Sequence, residues 1–168
     1  MKVNFTVESL SDHEVTGFDC GNAELNSWLT NHARAATGQG TRTYVLVDEE
    51  KNVVGYFAIA PHFLNRDDAP RGIGRGAPQL IPAILLAKLA LDRSLQAQGL
   101  GAELLVFALK TIIEAARSAG GRIIVVDAID SDAIRFYEHH DFQPTPGNEN
   151  RLVLKLSTVA KVLGVKWP

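Results

Sequence analysis

Apolar and polar positions along the chain change period several times, and each change predicts an element. Lys2 to Val7 alternates and predicts a first strand. Asn22, after Cys20-Gly21, is a plausible helix N-cap, and Leu25, Trp28, Leu29, His32, Ala33 and Ala36 then share one helical face. That helix should stop near Thr37-Gly38, with Gly40 following. Thr43 to Val47 and Val53 to Ala60 are β-rich runs around the charged turn Asp48 to Asn52, which predicts a hairpin. Pro61 to Gln79 holds three prolines and three glycines and predicts a long irregular loop. Leu85 to Leu91 predicts a buried strand, although its Leu/Ala content also suits a helix.

The second half reads more cleanly. Leu104, Leu105, Ala108, Leu109, Ile112, Ile113 and Ala116 keep a helical period across Leu100 to Ala119, and Gly120-Gly121 ends it. Ile123 to Ala128 is a near-continuous apolar run, the pattern of a strand buried on both faces. Asp130 or Ser131 caps a short helix to about His140. Phe142 and Arg151 to Leu156 predict two last strands around the turn Pro144 to Asn150. One strand–helix–strand unit inside a mixed order predicts a single α/β domain over residues 1–168, built on one central sheet.

Composition adds limits. With 168 residues, 46% of them hydrophobic and 21% charged, the chain can bury a core without staples and is not of disordered type. Cys20 is the only cysteine, so neither an intrachain disulfide nor a cysteine metal cluster is available. Residues 1–11 lack the apolar core of a signal peptide, and the apolar stretch Leu80 to Leu91 is too short for a bilayer and contains Lys88. The expectation is a cytoplasmic protein with no membrane partner. The net charge of −2 argues against a uniformly basic nucleic-acid binder.

The chemistry concentrates at Gln96-Ala97-Gln98-Gly99-Leu100-Gly101, between a predicted strand and a long predicted helix. Glycines there let a ligand approach the backbone, and the first helical turn offers unpaired N–H groups at the positive end of the dipole. That is an anion site suited to phosphate or pyrophosphate. It is not a P-loop, because no Gly-Lys-Ser/Thr follows, and Glu103-Leu104 stand where a Rossmann fingerprint needs its third glycine.

The pattern Gln-x-x-Gly-x-Gly resembles the coenzyme A pyrophosphate loop of the GNAT N-acetyltransferases. Leu89-Ala90-Leu91-Asp92 leads into it as that superfamily's splayed strand does. Ala133-Ile134-Arg135-Phe136-Tyr137-Glu138, then Asp141-Phe142, is similar to its "Ala…Phe-Tyr-Glu…Gly-Phe" segment, with Asp141 in place of the usual glycine. Phe18-Asp19-Cys20-Gly21-Asn22, Leu25, Trp28 and Leu29 resemble the opening of the GNAT toxins of type II toxin–antitoxin pairs. Thr43-Tyr44-Val45, Val54 to Ala58 and Ile81 to Leu86 continue that likeness. The resemblance implies a mixed, mostly antiparallel twisted sheet flanked by helices on both faces. It implies acetyl-CoA as cosubstrate with no metal, acetylation of the α-amine of aminoacyl-tRNA, a ribbon–helix–helix antitoxin partner, and a homodimer.

Carried onto this chain, the likeness assigns roles. The backbone N–H groups of Gln98, Gly99, Leu100, Gly101 and Ala102 would hold the pyrophosphate, with Ala97 in the loop and the Gln96 side chain adding a contact or shaping it. Leu89, Ala90 and Leu91 would pair their backbone with the pantetheine arm, and Ala133 and Phe136 would lie along the coenzyme. Tyr137 would be the general acid that protonates the departing thiolate. No general base stands out, and an α-amine of low pKa can enter already neutral. The bland readings stand beside these: a Gly-rich turn, core leucines, and a half-buried tyrosine packed beside Phe136.

His139-His140 lacks a partner at ligand spacing and is not read as a metal site. His32 is read as a packed or cap-side residue, and Cys20 as a small buried one. The bases segregate: Leu25–Val47, Ala69–Leu91 and Arg151–Pro168 hold nine of the 17 and no acid. Arg34, Arg42, Arg71, Arg75 and Arg93 are candidate RNA contacts, with solvated surface charge as the plain alternative. Two rival functions remain open: acetylation of a small-molecule amine or a protein N-terminus without a toxin role, and a non-catalytic module that keeps the fold.

Overall fold

A computed structural model describes residues 4–168. Seven strands form one mixed sheet in the order β1-β2-β3-β4-β5-β7-β6, accompanied by helices. The strands are β1 Thr6–Ser9, β2 Arg42–Val47, β3 Val53–Asn65, β4 Leu80–Leu91, β5 Ile123–Asp127, β6 Gln143–Thr145 and β7 Asn148–Lys155. The helices are α1 Ala23–Ser27, α2 Ala33–Thr37, α3 Arg71–Gly74, α4 Leu100–Ala119, α5 Ser131–His139 and α6 Leu156–Leu163. Two compact units share the chain: one runs through Ala60 and adds Ala87–Ala108, the other is Pro61–Leu86 with Leu109–Pro168.

In the first unit β2 pairs antiparallel with β1 and β3, and the β2–β3 hairpin turns where the sequence placed it. Asn22 caps α1 as expected, its Oδ1 accepting from Leu25 N at 3.0 Å. Between α1 and α2 the chain makes a π-helical turn over Trp28–His32, with Ala33 N–H bonded to Trp28 O. The wider turn keeps Leu29 and Ala33 fully buried and pushes His32 off the apolar face into solvent. His32 is therefore exposed, not packed. Leu29, Ala33, Val45, Val53, Ala90 and Tyr56 form the core here, with Phe18 edge-on to Tyr56 at 5.5 Å and Trp28 stacked on it at 5.9 Å. Cys20 packs against that cluster half-buried, short of the full burial expected.

The second unit holds the parallel strand–helix–strand crossover. β4 pairs with β5 from Ala83↔Ile123 to Leu86↔Val126, and β5 and β6 flank β7 antiparallel. Ile123 and Val125 on one face and Ile124 and Val126 on the other are all 0–1% exposed, as a strand covered on both faces requires. Asp130 is the α5 cap, its Oδ1 accepting from Ala133 N at 2.8 Å. Asp141, standing where relatives of this pattern use glycine, has φ +71°, so the turn keeps the left-handed backbone a glycine would supply.

Five expectations need correction. Asn4 and Phe5 are not strand: β1 starts at Thr6, and Lys2 and Val3 lie outside the described residues. Pro61–Gln79 is not one irregular loop. β3 runs through Pro61 to Asn65, a 3₁₀ turn covers Arg66–Asp68, and α3 follows. Arg66 organises this segment by donating to Ala77 O and to Gln79 Oε1, both at 3.0 Å, while Ala69, Ile73 and Ala77 enter the core. β4 starts at Leu80, earlier than Leu85, because Ile81 and Ala83 face that cluster. Phe142 precedes β6 instead of lying in a strand, and β7 begins at Asn148 beyond a tight turn with Gly147 at φ +77°. Leu156 starts α6, where Leu156, Val159 and Ala160 make a buried helical face.

Tyr56 is fully buried, and its hydroxyl donates to Leu25 O at 2.7 Å. Tyr56→Phe removes that bond and leaves Leu25 O to the Trp28 N–H alone, and it is expected to lower stability by about 0.5–1.5 kcal/mol, read as a shift in the urea midpoint with unchanged slope.

Candidate active site

Within the first unit, the loop ahead of α4 is a sequence of backbone turns with little ladder bonding of its own. Arg93–Leu95 makes a 3₁₀ turn capped by Asp92. Ala97 then has φ +64° and Gly99 φ +76°, both left-handed. A chain that switches hand in this way points successive N–H groups into one concavity, a nest for anions. Among the described residues, the N–H groups of Ala97, Gln98 and Gly99 have no backbone acceptor within the protein. Leu100 opens the 20-residue helix α4, whose positive end faces the same loop. The N–H groups expected to hold a pyrophosphate thus come from one short stretch.

The Gln96 side chain is the anchor of that stretch. Its Nε2 donates to Leu91 O at the end of β4 and to Cys20 O, both at 2.8 Å. Both amide hydrogens are therefore used inside the protein, and Gln96 shapes the loop. The Cys20 side of the bracket is the Phe18–Asn22 segment. Asp19 N–H donates to Asp92 Oδ2 at 3.1 Å, Arg93 N–H donates to Asp19 O at 2.8 Å, and the Arg93 guanidinium lies 3.7 Å from the Asp19 carboxylate. The Asp19 carboxyl also accepts from Gly21 N–H and Asn26 Nδ2, and these bonds, the Gly21 one foremost, hold it below the usual carboxylate range. Two stretches that the sequence singled out separately thus form one assembly, joined across 76 positions by Gln96. No spacing rule signals such a link.

Cys20 is a support here. Burial pushes its thiol up, and the thiol sits 3.7 Å from Asn22 O. Leu89, Ala90 and Leu91 form the end of β4, with Ala90 and Leu91 buried and Leu89 half-buried. Lys88 Nζ lies over the Trp28 ring at 5.5 Å from its centre. Gly101 and Ala102 occupy the first turn of α4, both half-buried.

Within the second unit, Tyr137 lies near the end of α5 and is 8% exposed. Its ring meets Phe136 at 5.3 Å and Phe142 at 5.2 Å, both edge-to-face. Burial raises the phenol well above its ordinary value, so it is a neutral proton donor at physiological pH. Among the described residues its hydroxyl has no hydrogen-bond partner in the protein, whereas the Tyr56 hydroxyl is committed to a backbone carbonyl. Ala133 and Phe136 are half-buried on the same helix. His140 packs edge-on to Phe136 at 4.9 Å, and burial lowers its pKa, with His139 adding to the effect. Among the described residues there is no group of three or more His, Cys, Asp or Glu side chains able to hold a metal, and no helix is long and apolar enough to cross a membrane.

The candidate RNA-contacting arginines divide. Arg34 donates to Ser11 O and His13 O, and Arg42 to Thr37 O and Thr41 O, so both serve backbone carbonyls of their own unit. Arg93 is drawn to Asp19. Arg71 and Arg75 are exposed, and among the described residues no protein partner engages their guanidinium groups. One polar group went unread in the sequence. Arg151 forks onto both Asp127 oxygens at 2.8 Å and reaches His62 Nε2 at 3.4 Å. Burial, with the guanidinium alongside, lowers the His62 pKa and keeps the imidazole neutral. These three residues lie on three strands, and only the strand register brings them together.

Gln96→Ala removes both tethers of the loop. It is expected to lower stability by about 1–3 kcal/mol and to speed amide hydrogen exchange selectively at Asp19, Arg93 and Gln96, whose N–H groups are bonded within this assembly. Unchanged exchange at those three amides would contradict the anchoring role.

Comparison with known proteins places this arrangement. The family model "Acetyltransferase (GNAT) domain" matches residues 39–144. A tRNA-acetylating toxin of Mycobacterium tuberculosis is 35% identical over 151 residues, covering 90% of this chain and 91% of that protein. AtaT complexed with acetyl-methionyl-tRNAfMet superposes with a TM-score of 0.86 at 31% identity, over 95% of this chain and 99% of that one. A tyrosine-to-phenylalanine mutant of the AtaT toxin, bound to the C-terminus of the antitoxin AtaR and acetyl-CoA, gives a TM-score of 0.81 at 31% identity, over 95% and 98%. The chain belongs to the GNAT acetyltransferase family.

Proposed function

We propose that this protein moves the acetyl group of acetyl-CoA onto the α-amine of an aminoacyl-tRNA, as the toxin of a toxin–antitoxin pair acting in the cytoplasm. The observation that carries the reading is the 35% identity to a tRNA-acetylating toxin along 90% of the chain. The geometry agrees with it. The nest at Ala97–Gly99 and the first turn of α4 supply donors for a pyrophosphate, and Tyr137 supplies a neutral phenol. The backbone of Leu89–Leu91 would pair with the pantetheine arm, since the pairing of β4 with β5 ends at Leu86 while β4 runs on to Leu91. Ala133 and Phe136 would lie along the coenzyme.

The chemistry balances with these groups. The neutral α-amine attacks the thioester carbonyl, the tetrahedral intermediate collapses, and the carbon–sulfur bond breaks. The Tyr137 hydroxyl protonates the departing thiolate, the attacking nitrogen loses its proton to solvent, and the tyrosinate regains a proton from solvent. An α-amine near pKa 8 lies about 2 below a lysine side chain, so its neutral fraction at neutral pH is roughly a hundredfold larger and it can enter neutral without a dedicated base. Catalysis then rests on positioning. Arg71 and Arg75, with guanidinium groups free of protein partners, are the candidates for steering the RNA. The AtaT toxin is held by the C-terminus of AtaR, and an antitoxin of that kind is the partner expected for this chain.

Incubation with labelled acetyl-CoA and total charged tRNA tests the reading. N-acetylated aminoacyl-tRNA is the expected product, and labelling only of small amines or protein N-termini would favour the rival acceptor. Tyr137→Phe is expected to keep acetyl-CoA affinity and to lose about 10²-fold or more in turnover. Unchanged turnover removes Tyr137 from the mechanism. Induced expression should arrest growth, and Tyr137→Phe should relieve the arrest.

A further inference from the structure

A pocket of about 510 Å³ opens in the second unit, lined by none of the residues assigned to acetyl transfer, with Ile73, between Arg71 and Arg75, in its wall. Its lining brings together Arg117 from the last turn of α4, Arg122 before β5, and Lys155 and Ser157 at the start of α6, with the Trp167 indole alongside. No carboxylate side chain lines it. Among the described residues, no protein group engages the Arg117, Arg122 or Lys155 side chain. Three like charges around one concavity repel each other, and an anion between them relieves that repulsion.

The backbone adds donors of the same sense. Lys155 is the N-cap of α6 and makes no side-chain capping bond, and the first turn contains no acid. Leu156 N–H is taken by Arg122 O at 3.0 Å, but the N–H groups of Ser157 and Thr158 precede the reach of any intrahelical acceptor. Ser157, with its N–H and hydroxyl, is the one of these that lines the pocket, at the positive end of a helix where an oxyanion is favoured. Trp167 is half-buried, so part of its ring is free to stack on a planar group. The volume lies within the span of small-molecule sites, about 300–1,000 Å³. Within this unit the pocket is at the N-terminal end of β5, whereas α5 with Tyr137 follows its C-terminal end, about 16 Å of strand away.

We propose that this pocket is a second nucleotide site, in which Arg117, Arg122, Lys155 and the α6 N-terminus take a phosphate and Trp167 stacks on the adjoining base. Two sources carry that chemistry, a free nucleotide and an RNA chain. The RNA source rests on the tRNA reading above.

Binding of AMP and of uncharged tRNA to the intact protein, saturated with coenzyme A so that the α4 loop is occupied, tests it. R117A/R122A/K155A is expected to weaken binding at least tenfold and, for tRNA, to flatten the salt dependence by about 2–3 in slope. Trp167→Ala should also weaken binding, and Trp167→Phe should restore most of it. Coenzyme A affinity of each variant should match the wild type, which reports an intact fold. Loss of tRNA binding alone assigns the pocket to RNA, and loss of AMP binding alone assigns it to a free nucleotide. Wild-type affinity of the triple variant for both ligands overturns the proposal. Acetylation of charged tRNA by the wild type is measured in parallel: its failure would sink the tRNA reading, while the AMP arm would still decide the pocket.

Discussion

The carboxamide of Gln96 is the constraint on which the loop before α4 depends. A loop that passes through left-handed backbone at Ala97 and Gly99 cannot be held by ladder bonds, because its N–H groups face outward into the nest. Two amide hydrogens solve that problem by gripping the last carbonyl of β4 and the carbonyl of Cys20. The Asp19 carboxylate and the Asp92 cap then lock the Phe18–Asn22 segment against the same turn. The N–H groups are held ready by neighbours that themselves do no chemistry, which is how a preorganised anion site avoids reorganising when its ligand arrives.

Two tyrosines show how burial and hydrogen bonding divide structural from chemical work. Tyr56 and Tyr137 are both buried, and in both burial is the first cause that raises the phenol, with Cys20 adding to it at Tyr56. Tyr56 gives its proton to Leu25 O and sits between Phe18 and Trp28, so it is a tie in the core. Tyr137 is held by edge contacts to Phe136 and Phe142 that fix the ring and leave the hydroxyl free. Two buried residues of the same type therefore have opposite availability.

The cations divide on the same principle. A net charge of −2 says little about which guanidinium groups face solvent unengaged. Arg34, Arg42 and Arg66 serve backbone carbonyls, and Arg151 is clamped to Asp127. Among the described residues Arg71, Arg75, Arg117, Arg122 and Lys155 are engaged by no protein group, and all of them lie in the second unit. The basic residues thus split into internal braces and free charge, a distinction made by contacts and invisible in a count.

By itself the sequence determined whatever depends on local period and local chemistry. The helix Leu100–Ala119 has the predicted bounds, because a 20-residue apolar stripe closed by two glycines at positive φ leaves no competing conformation. Asn22 and Asp130 were legible as caps, since a cap bonds within three residues of itself. The glycine-bearing turn before α4 and the family likeness were legible for the same reason. Elements fixed by partners distant in the chain were not. Pro61–Gln79 looked irregular because Arg66 and the apolar residues of α3, not local propensity, order it. Leu156 looked like strand until the packing of Leu156, Val159 and Ala160 made it helix. His32 left its face because a π turn inserts a residue that no period anticipates. The tertiary structure alone decided that Gln96 braces the loop through both amide hydrogens, that Tyr137 and not Tyr56 keeps a free hydroxyl, and that His62, Asp127 and Arg151 meet. Each of these rests on side chains reaching across tens of residues, which only the register of the sheet and the packing of the core can bring into contact.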